Sequence, residues 1–176
     1  MTALVAVSNR GRVWLGGDSA ATIGDDQEVT LADSKVWISG EWALGAAGSN
    51  LYCDVLRHHT ELPKLPELGT GEEAVRALFP MMFRKALTEQ WADDTIEESE
   101  AIVGLRGRLY YIDGALSVTR ITWPFVAAGV GLLTAFGALH ATRNMKIPPE
   151  RRVRNVLETC AASCVGVRRP FRVVSV

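Results

Sequence analysis

Short apolar runs separated by polar turn residues open the chain. Residues 2–7 are almost wholly apolar and rich in branched side chains, the pattern of a strand buried on both faces. Ser8-Asn9-Arg10-Gly11 supplies turn chemistry, and residues 12–16 read as the returning strand of an N-terminal hairpin. The same pattern recurs at 35–38 and 42–46 around Ser39-Gly40, and at 101–112 around Arg106-Gly107. A weaker fourth strand pair, 118–121 and 125–128, flanks Thr122-Trp123-Pro124, and the β-forming tail at 171–174 is expected to complete a sheet edge.

Between these strands the apolar period changes to that of helices. Leu51, Val55 and Leu56 mark a helix over 50–59, and Ala74, Leu78, Met81, Met82 and Leu87 form one stripe over 71–91. Pro80 should kink or split that helix, because it lacks a donor and crowds the preceding turn. Two further helices are expected over 132–142 and 149–165, with Pro149 well placed to open the second. Hairpins imply antiparallel sheets, and helices grouped between them must cover the outer faces. The expected fold is therefore α+β, a four-layer αββα sandwich of two packed antiparallel sheets.

At 176 residues the chain suits one domain, 1–176, and no linker, repeat or low-complexity segment divides it. Polar stretches at 61–73 and 90–100 read as connections. Hydrophobic residues make up 48%, which excludes a disordered chain. A net charge of -1, from 19 basic and 20 acidic residues, gives no general attraction to nucleic acid or anionic membrane. The longest nearly apolar run, 125–139, is shorter than the roughly 20 residues a bilayer span requires. Neither nucleic acid nor membrane is expected as a partner, and the expected location is the cytoplasm. Three cysteines make no even disulfide framework and suit a reducing compartment. Cys160 and Cys164, four apart, lack neighbouring ligands for a metal and read as core residues.

Several residues carry candidate chemistry. Met1 precedes a small side chain, so its trimming would leave Thr2 with a free α-amine. An N-terminal Thr combines a hydroxyl nucleophile with a base of pKa about 7.7–8. The plain alternative is a small residue that merely follows Met. If the first turn centres on Arg10, Thr2 lies opposite Asp18, and a half-residue shift moves its partner only to Gly17 or Ser19. A carboxylate there would hold and tune the amine, although a turn residue after Gly16-Gly17 explains Asp18 equally well. Lys35 opens the second hairpin, where its charge would favour the neutral amine; an exposed strand-end lysine is the alternative. Ala46-Ala47-Gly48-Ser49 leads from strand to helix, where backbone N–H groups can stabilise an oxyanion, or simply make a tight turn.

Thr2-Ala3-Leu4-Val5-Ala6-Val7, Gly17-Asp18-Ser19-Ala20-Ala21-Thr22, Lys35-Val36 and Ala47-Gly48-Ser49, in this order and spacing, resemble proteasome β subunits and their simpler bacterial relatives. The bacterial ATP-dependent two-component peptidase is the most similar of these, since it too needs only methionine removal. Gly129-Val130-Gly131, entering an alanine-rich helix, and Arg169-Pro170-Phe171-Arg172-Val173-Val174 resemble later elements of the same family. The resemblance implies an N-terminal-nucleophile hydrolase fold and amide hydrolysis without metal or organic cofactor. It makes Thr2 nucleophile and base, Asp18 and Lys35 its organisers, and Gly48 the oxyanion donor. Thr22, Gly48 and Ser49 become substrate-binding positions. It further implies a protein or peptide substrate, a stacked homo-oligomeric ring and a possible ATPase unfoldase. Two positions depart from the family. Val130 stands where serine is usual, and Ser163 lies nearest the place of a usual aspartate. These departures keep open a catalytically weak assembly protein, and small-molecule amide hydrolysis is a third reading.

Other features are set aside. Gly129-Val130-Gly131 lacks the third glycine and the surrounding strands of a dinucleotide loop. His58, His59 and His140 lack zinc-site spacing. Arg151, Arg152, Arg154, Arg168 and Arg169 read as a solvated helix face or a subunit contact, and Trp14, Trp37 and Trp42 as core or interface.

Overall fold

The computed structural model describes residues 1–23, 27–90 and 96–176. Residue 91, the end of the expected 71–91 helix, and residues 91–95 of the 90–100 connection lie outside the described residues. Strands β1 (Ala3–Asn9) and β2 (Arg12–Gly17) form the first hairpin. A short ribbon, β3 (Ala20–Ile23) with β4 (Gln27–Thr30), follows; the alternation in the sequence did not call for it. Then come β5 (Val36–Ser39), β6 (Trp42–Ala47), helix α1 (Asn50–Asp54) and helix α2 (Phe79–Glu89). Strands β7 (Glu100–Leu105), β8 (Arg108–Ile112), β9 (Val118–Ile121) and β10 (Phe125–Gly129) precede α3 (Leu132–Ala141), α4 (Pro149–Ser163) and β11 (Arg172–Ser175).

One sheet has the order β10-β1-β2-β11 and the other β5-β6-β7-β8-β9, antiparallel throughout. Alternation along each strand divides the core into three layers. Ala3, Val5 and Val7 of β1 join α3 and α4 in one cluster, whereas Leu4 and Ala6 face the second sheet. Trp42, Leu44 and Ala46 of β6 pack under α1 and α2. The fold is the expected four-layer α+β sandwich. Each fully buried Val or Leu contributes about 1.5–3 kcal/mol to holding the layers together.

Three expectations need correction. Strands 118–121 and 125–128 do not pair with each other: β9 extends the second sheet beside β8, and β10 joins the first beside β1. The link is drawn across because Ser8 N–H donates to the Pro124 carbonyl at 2.8 Å and Trp123 stacks on Phe136 of α3. The stripe over 71–91 is also rotated. Leu78 and Met81 are exposed, and the buried face is Ala74, Val75, Phe79, Phe83, Ala86 and Leu87. A π turn over Ala74–Leu78, just before Pro80 near the start of α2, accounts for the rotation, since it inserts extra backbone per turn. Arg152, expected in solvent, is buried between α3 and α4. It donates to the Leu139 carbonyl and, at 3.1 Å, to Thr142 Oγ1.

No helix among the described residues is long and apolar enough to cross a membrane.

Candidate active site

The first turn sets the geometry. Arg10 and Gly11 both have positive φ, 49° and 77°, so the turn centres between them and not on Arg10. Leu4 therefore pairs with Gly17, and the next residues out, Ala3 and Asp18, face each other. Thr2 is one residue beyond that pair, which corrects the register that placed Asp18 opposite Thr2 itself. Asp18 N–H donates to the Ala3 carbonyl at 3.3 Å. The Asp18 side chain turns back to accept from the Ala3 N–H (2.9 Å) and the Ala20 N–H (2.9 Å).

Lys35, just ahead of β5, completes this cluster. Its Nζ lies 3.0 and 3.2 Å from the two Asp18 carboxylate oxygens and donates to the Met1 carbonyl at 2.8 Å. Both side chains are almost fully buried. Burial holds the lysine pKa below its ordinary value, against the opposing pull of the Asp18 charge. Asp18 and Lys35 are thus brought together beside the head of β1, where Thr2 is buried.

Two cavities meet there. One, of about 750 Å³, is bordered by Thr2, Gly48, Ser49, Ser99, Glu100 and Val130; the other, of about 580 Å³, by Thr2, Thr22, Lys35, Trp37, Gly48 and Cys53. Gly48 has φ +119°, and a Cβ there would stand 2.5 Å from Ser99 Cα, so only glycine fits this turn. Ser49 caps α1 by accepting from the Tyr52 N–H at 3.0 Å, and its own N–H donates to Ser99 Oγ at 3.2 Å. Thr22 sits on β3, which pairs only with β4 among the described residues, and Ala20, Ala21 and Thr22 border the second cavity.

The wall of the second cavity is charged. Arg57 donates to the Ser34 carbonyl at 2.5 Å, pairs with Asp33 at 3.5 Å, and lies over the Trp37 ring at 5.4 Å. Burial pushes the Cys53 thiol up to about 11.

The two departures from the family pattern differ in place. Val130 borders the Thr2 cavity and is half exposed. Ser163 is exposed, and its hydroxyl donates back to the Thr159 carbonyl at 2.8 Å, so it is spent on its own helix. It borders neither Thr2 cavity. Sequence reasoning missed Ser99 and Glu100. The available signal was a polar pair placed directly before the wholly apolar run 101–105. Among the described residues, no group of three or more His, Cys, Asp or Glu side chains is placed to hold a metal ion.

The chain matches no family model and no curated protein. Among solved structures it is similar to BPH of Thiobacillus denitrificans, solved in complex with epoxomicin: 17% identity over 100% of this chain and 98% of that one, TM-score 0.82. It is also similar to HslV of Trypanosoma brucei, with 19% identity over 98% of each chain and a TM-score of 0.72. Anbu of Pseudomonas aeruginosa, described as a helical assembly, matches at 19% identity over 99% of this chain and 80% of that one, TM-score 0.73. Identities this low speak to architecture: the chain has the fold of proteasome-like, N-terminal-nucleophile hydrolases.

Proposed function

We propose that this chain is a threonine-type peptidase subunit whose nucleophile is Thr2, freed by removal of Met1. The observation that carries this reading is the buried Asp18–Lys35 pair at 3.0 Å. It is bonded to the Ala3 N–H on one side and to the Met1 carbonyl on the other. A newly exposed Thr2 amine would start next to a fixed carboxylate that holds it and a fixed ammonium that favours its neutral form. Thr2 Oγ then attacks the substrate carbonyl while its proton passes to the amine through water. The Gly48 N–H is the donor assigned to the oxyanion. Collapse expels the amine leaving group and forms an ester on Thr2, which water hydrolyses. The peptide lies as an added strand along the free edge of β3, with Thr22, Gly48 and Ser49 as its backbone contacts.

As in the proteasome-like proteins, the substrate is a protein or peptide, and the working form is a homo-oligomeric ring stacked on another. An ATPase unfoldase is a possible partner and the cytoplasm the expected location. The test begins with intact mass, to establish that Met1 is absent. Fluorogenic peptides are then turned over by the processed protein and by its Thr2→Ala variant. The wild-type protein should be faster and should take one covalent adduct on Thr2 from an electrophilic peptide. Epoxomicin, bound in the Thiobacillus denitrificans structure, is a natural first inhibitor to try. Equal rates for the two proteins would end this reading.

A second reading has support of its own. Val130 offers no hydrogen bond toward the Thr2 cavity, and the Ser163 hydroxyl is committed to Thr159. Both fit a catalytically weak assembly protein. Retention of Met1 in the native protein would favour it, because an acylated Thr2 nitrogen is no base.

A further inference from the structure

We propose that Ser99 and Glu100, two consecutive residues at the entry to β7, position both halves of the site, Glu100 supplying polar support that Val130 does not. The inference rests on the peptidase reading above.

Glu100 pairs across the sheet with Ala47, which sets it level with the Gly48 turn. Its Oε1 accepts the Gly129 N–H at 2.6 Å and its Oε2 accepts the Tyr111 hydroxyl at 2.7 Å. Both are charge-assisted bonds, stronger than those between neutral groups. Burial, together with Glu100 itself, raises the Tyr111 pKa, so the phenol remains a donor. Gly129 in turn lies against the nucleophile. It is the cross-strand partner of Ala3, has φ +83°, and a Cβ on it would collide with the Thr2 carbonyl oxygen. The chain Tyr111–Glu100–Gly129 therefore fixes the backbone of Thr2 from the side opposite to Asp18 and Lys35.

Ser99 does the same for the other half. Its Oγ accepts the Ser49 N–H at 3.2 Å, and its Cα fills the space a side chain at Gly48 would need. One dipeptide of the second sheet thus spaces the nucleophile, carried by the first sheet, from the turn assigned to the oxyanion. Both residues border the same cavity as Thr2. Their hydrogen bonds go to Ser49, Gly129 and Tyr111, so both act as positioning residues, and misplacement of a site by about 1 Å can cost 100-fold in rate.

The test compares Ser99→Ala, Glu100→Ala and Glu100→Gln in Met1-free protein, with Thr2→Ala as the blank. For each, kcat and KM on one fluorogenic peptide are read, together with hydrogen exchange of the segments 2–8 and 125–131. Glu100→Ala should lower kcat about 10- to 100-fold with KM within about twofold, and should speed exchange in both segments. Glu100→Gln keeps an oxygen for the Gly129 N–H and should recover part of both losses. Ser99→Ala should lower kcat without changing exchange at 125–131. Unchanged kcat and exchange in Glu100→Ala, or no recovery by Gln, would overturn the inference. If the wild type is no faster than Thr2→Ala, the peptidase reading falls by itself, and the exchange data still decide whether Glu100 holds the head of β1.

Discussion

Nζ of Lys35 donates to the carbonyl oxygen of Met1 at 2.8 Å, so the amide whose cleavage would free Thr2 lies directly against the lysine. Removing Met1 takes away this neutral acceptor and leaves Asp18 as the partner seen at 3.0 Å. The proposed processing would therefore change the surroundings of a buried cation as well as expose an amine.

That cation should be visible in stability. The Lys35 pKa is lowered, chiefly by burial. At pH values between the lowered value and the ordinary one, about 10.4, the unfolded chain binds a proton that the folded chain has released. Stability should thus climb with pH across this alkaline window, while below it the cost of burying the ammonium is fully present. Urea midpoints stepped from about pH 8 to about pH 11 should show the climb in the wild type and a flatter line in Lys35→Met. Parallel lines would reject the assignment.

Asp18→Asn should destabilise the protein by about 3–5 kcal/mol, because it strands a buried ammonium. Adding Lys35→Met to Asp18→Asn should recover part of that loss. Strictly additive penalties in this double-mutant cycle, measured by urea unfolding, would mean the pair is not coupled.

Arg152 ties the Leu139 carbonyl and Thr142 Oγ1 to α4 and lies 5.3 Å from the centre of the Phe125 ring. Arg152→Met keeps much of the bulk but leaves the end of α3 without its donor. A loss of about 2–3 kcal/mol is expected by denaturant titration, with peptidase KM unchanged.

Cys53 borders the second of the two cavities beside Thr2, yet its thiol is pushed up to about 11 by burial. At pH 8 about one molecule in a thousand would carry the thiolate, against about a quarter for an ordinary cysteine. Alkylation followed by mass spectrometry should therefore be slow near neutrality and accelerate toward pH 11. Rapid modification at pH 7 would contradict this burial.

Tyr52 is fully buried, and its hydroxyl has no protein partner among the described residues. Tyr52→Phe should be neutral or stabilising by up to about 1 kcal/mol, a sign opposite to most core changes. A clear loss in the thermal midpoint would show that the hydroxyl is satisfied.

The layers were legible because residues 2–7 and 42–46 are almost continuously apolar, as strands buried on both faces must be. The side chains that face the helices and those that face the other sheet are told apart only by the structure. Thr2, Asp18, Lys35 and Gly48 were named as candidates through the family resemblance, and the structure brings Asp18 and Lys35 together beside Thr2. The exact register was not legible, since nothing in Ser8-Asn9-Arg10-Gly11 tells whether the turn centres on Arg10 or beyond it, and only the φ values decide. The separation of β9 from β10 was hidden for a different reason: it depends on Trp123 stacking on Phe136, a contact made by the later helix. Glu100 was invisible because its partners, Gly129 and Tyr111, are brought to it by the packing of two sheets and by no sequence period.

Strand β1 lies between β10 and β2, in the interior of its sheet. Chain ends ordinarily fray, because few contacts restrain them. Here β1 is laced on both margins, so its amides can open only after a neighbouring strand is stripped away. The residue proposed as nucleophile would thereby be anchored beside one of the slowest-opening pieces of the molecule, and warming should loosen the outer helices well before it releases residue 2.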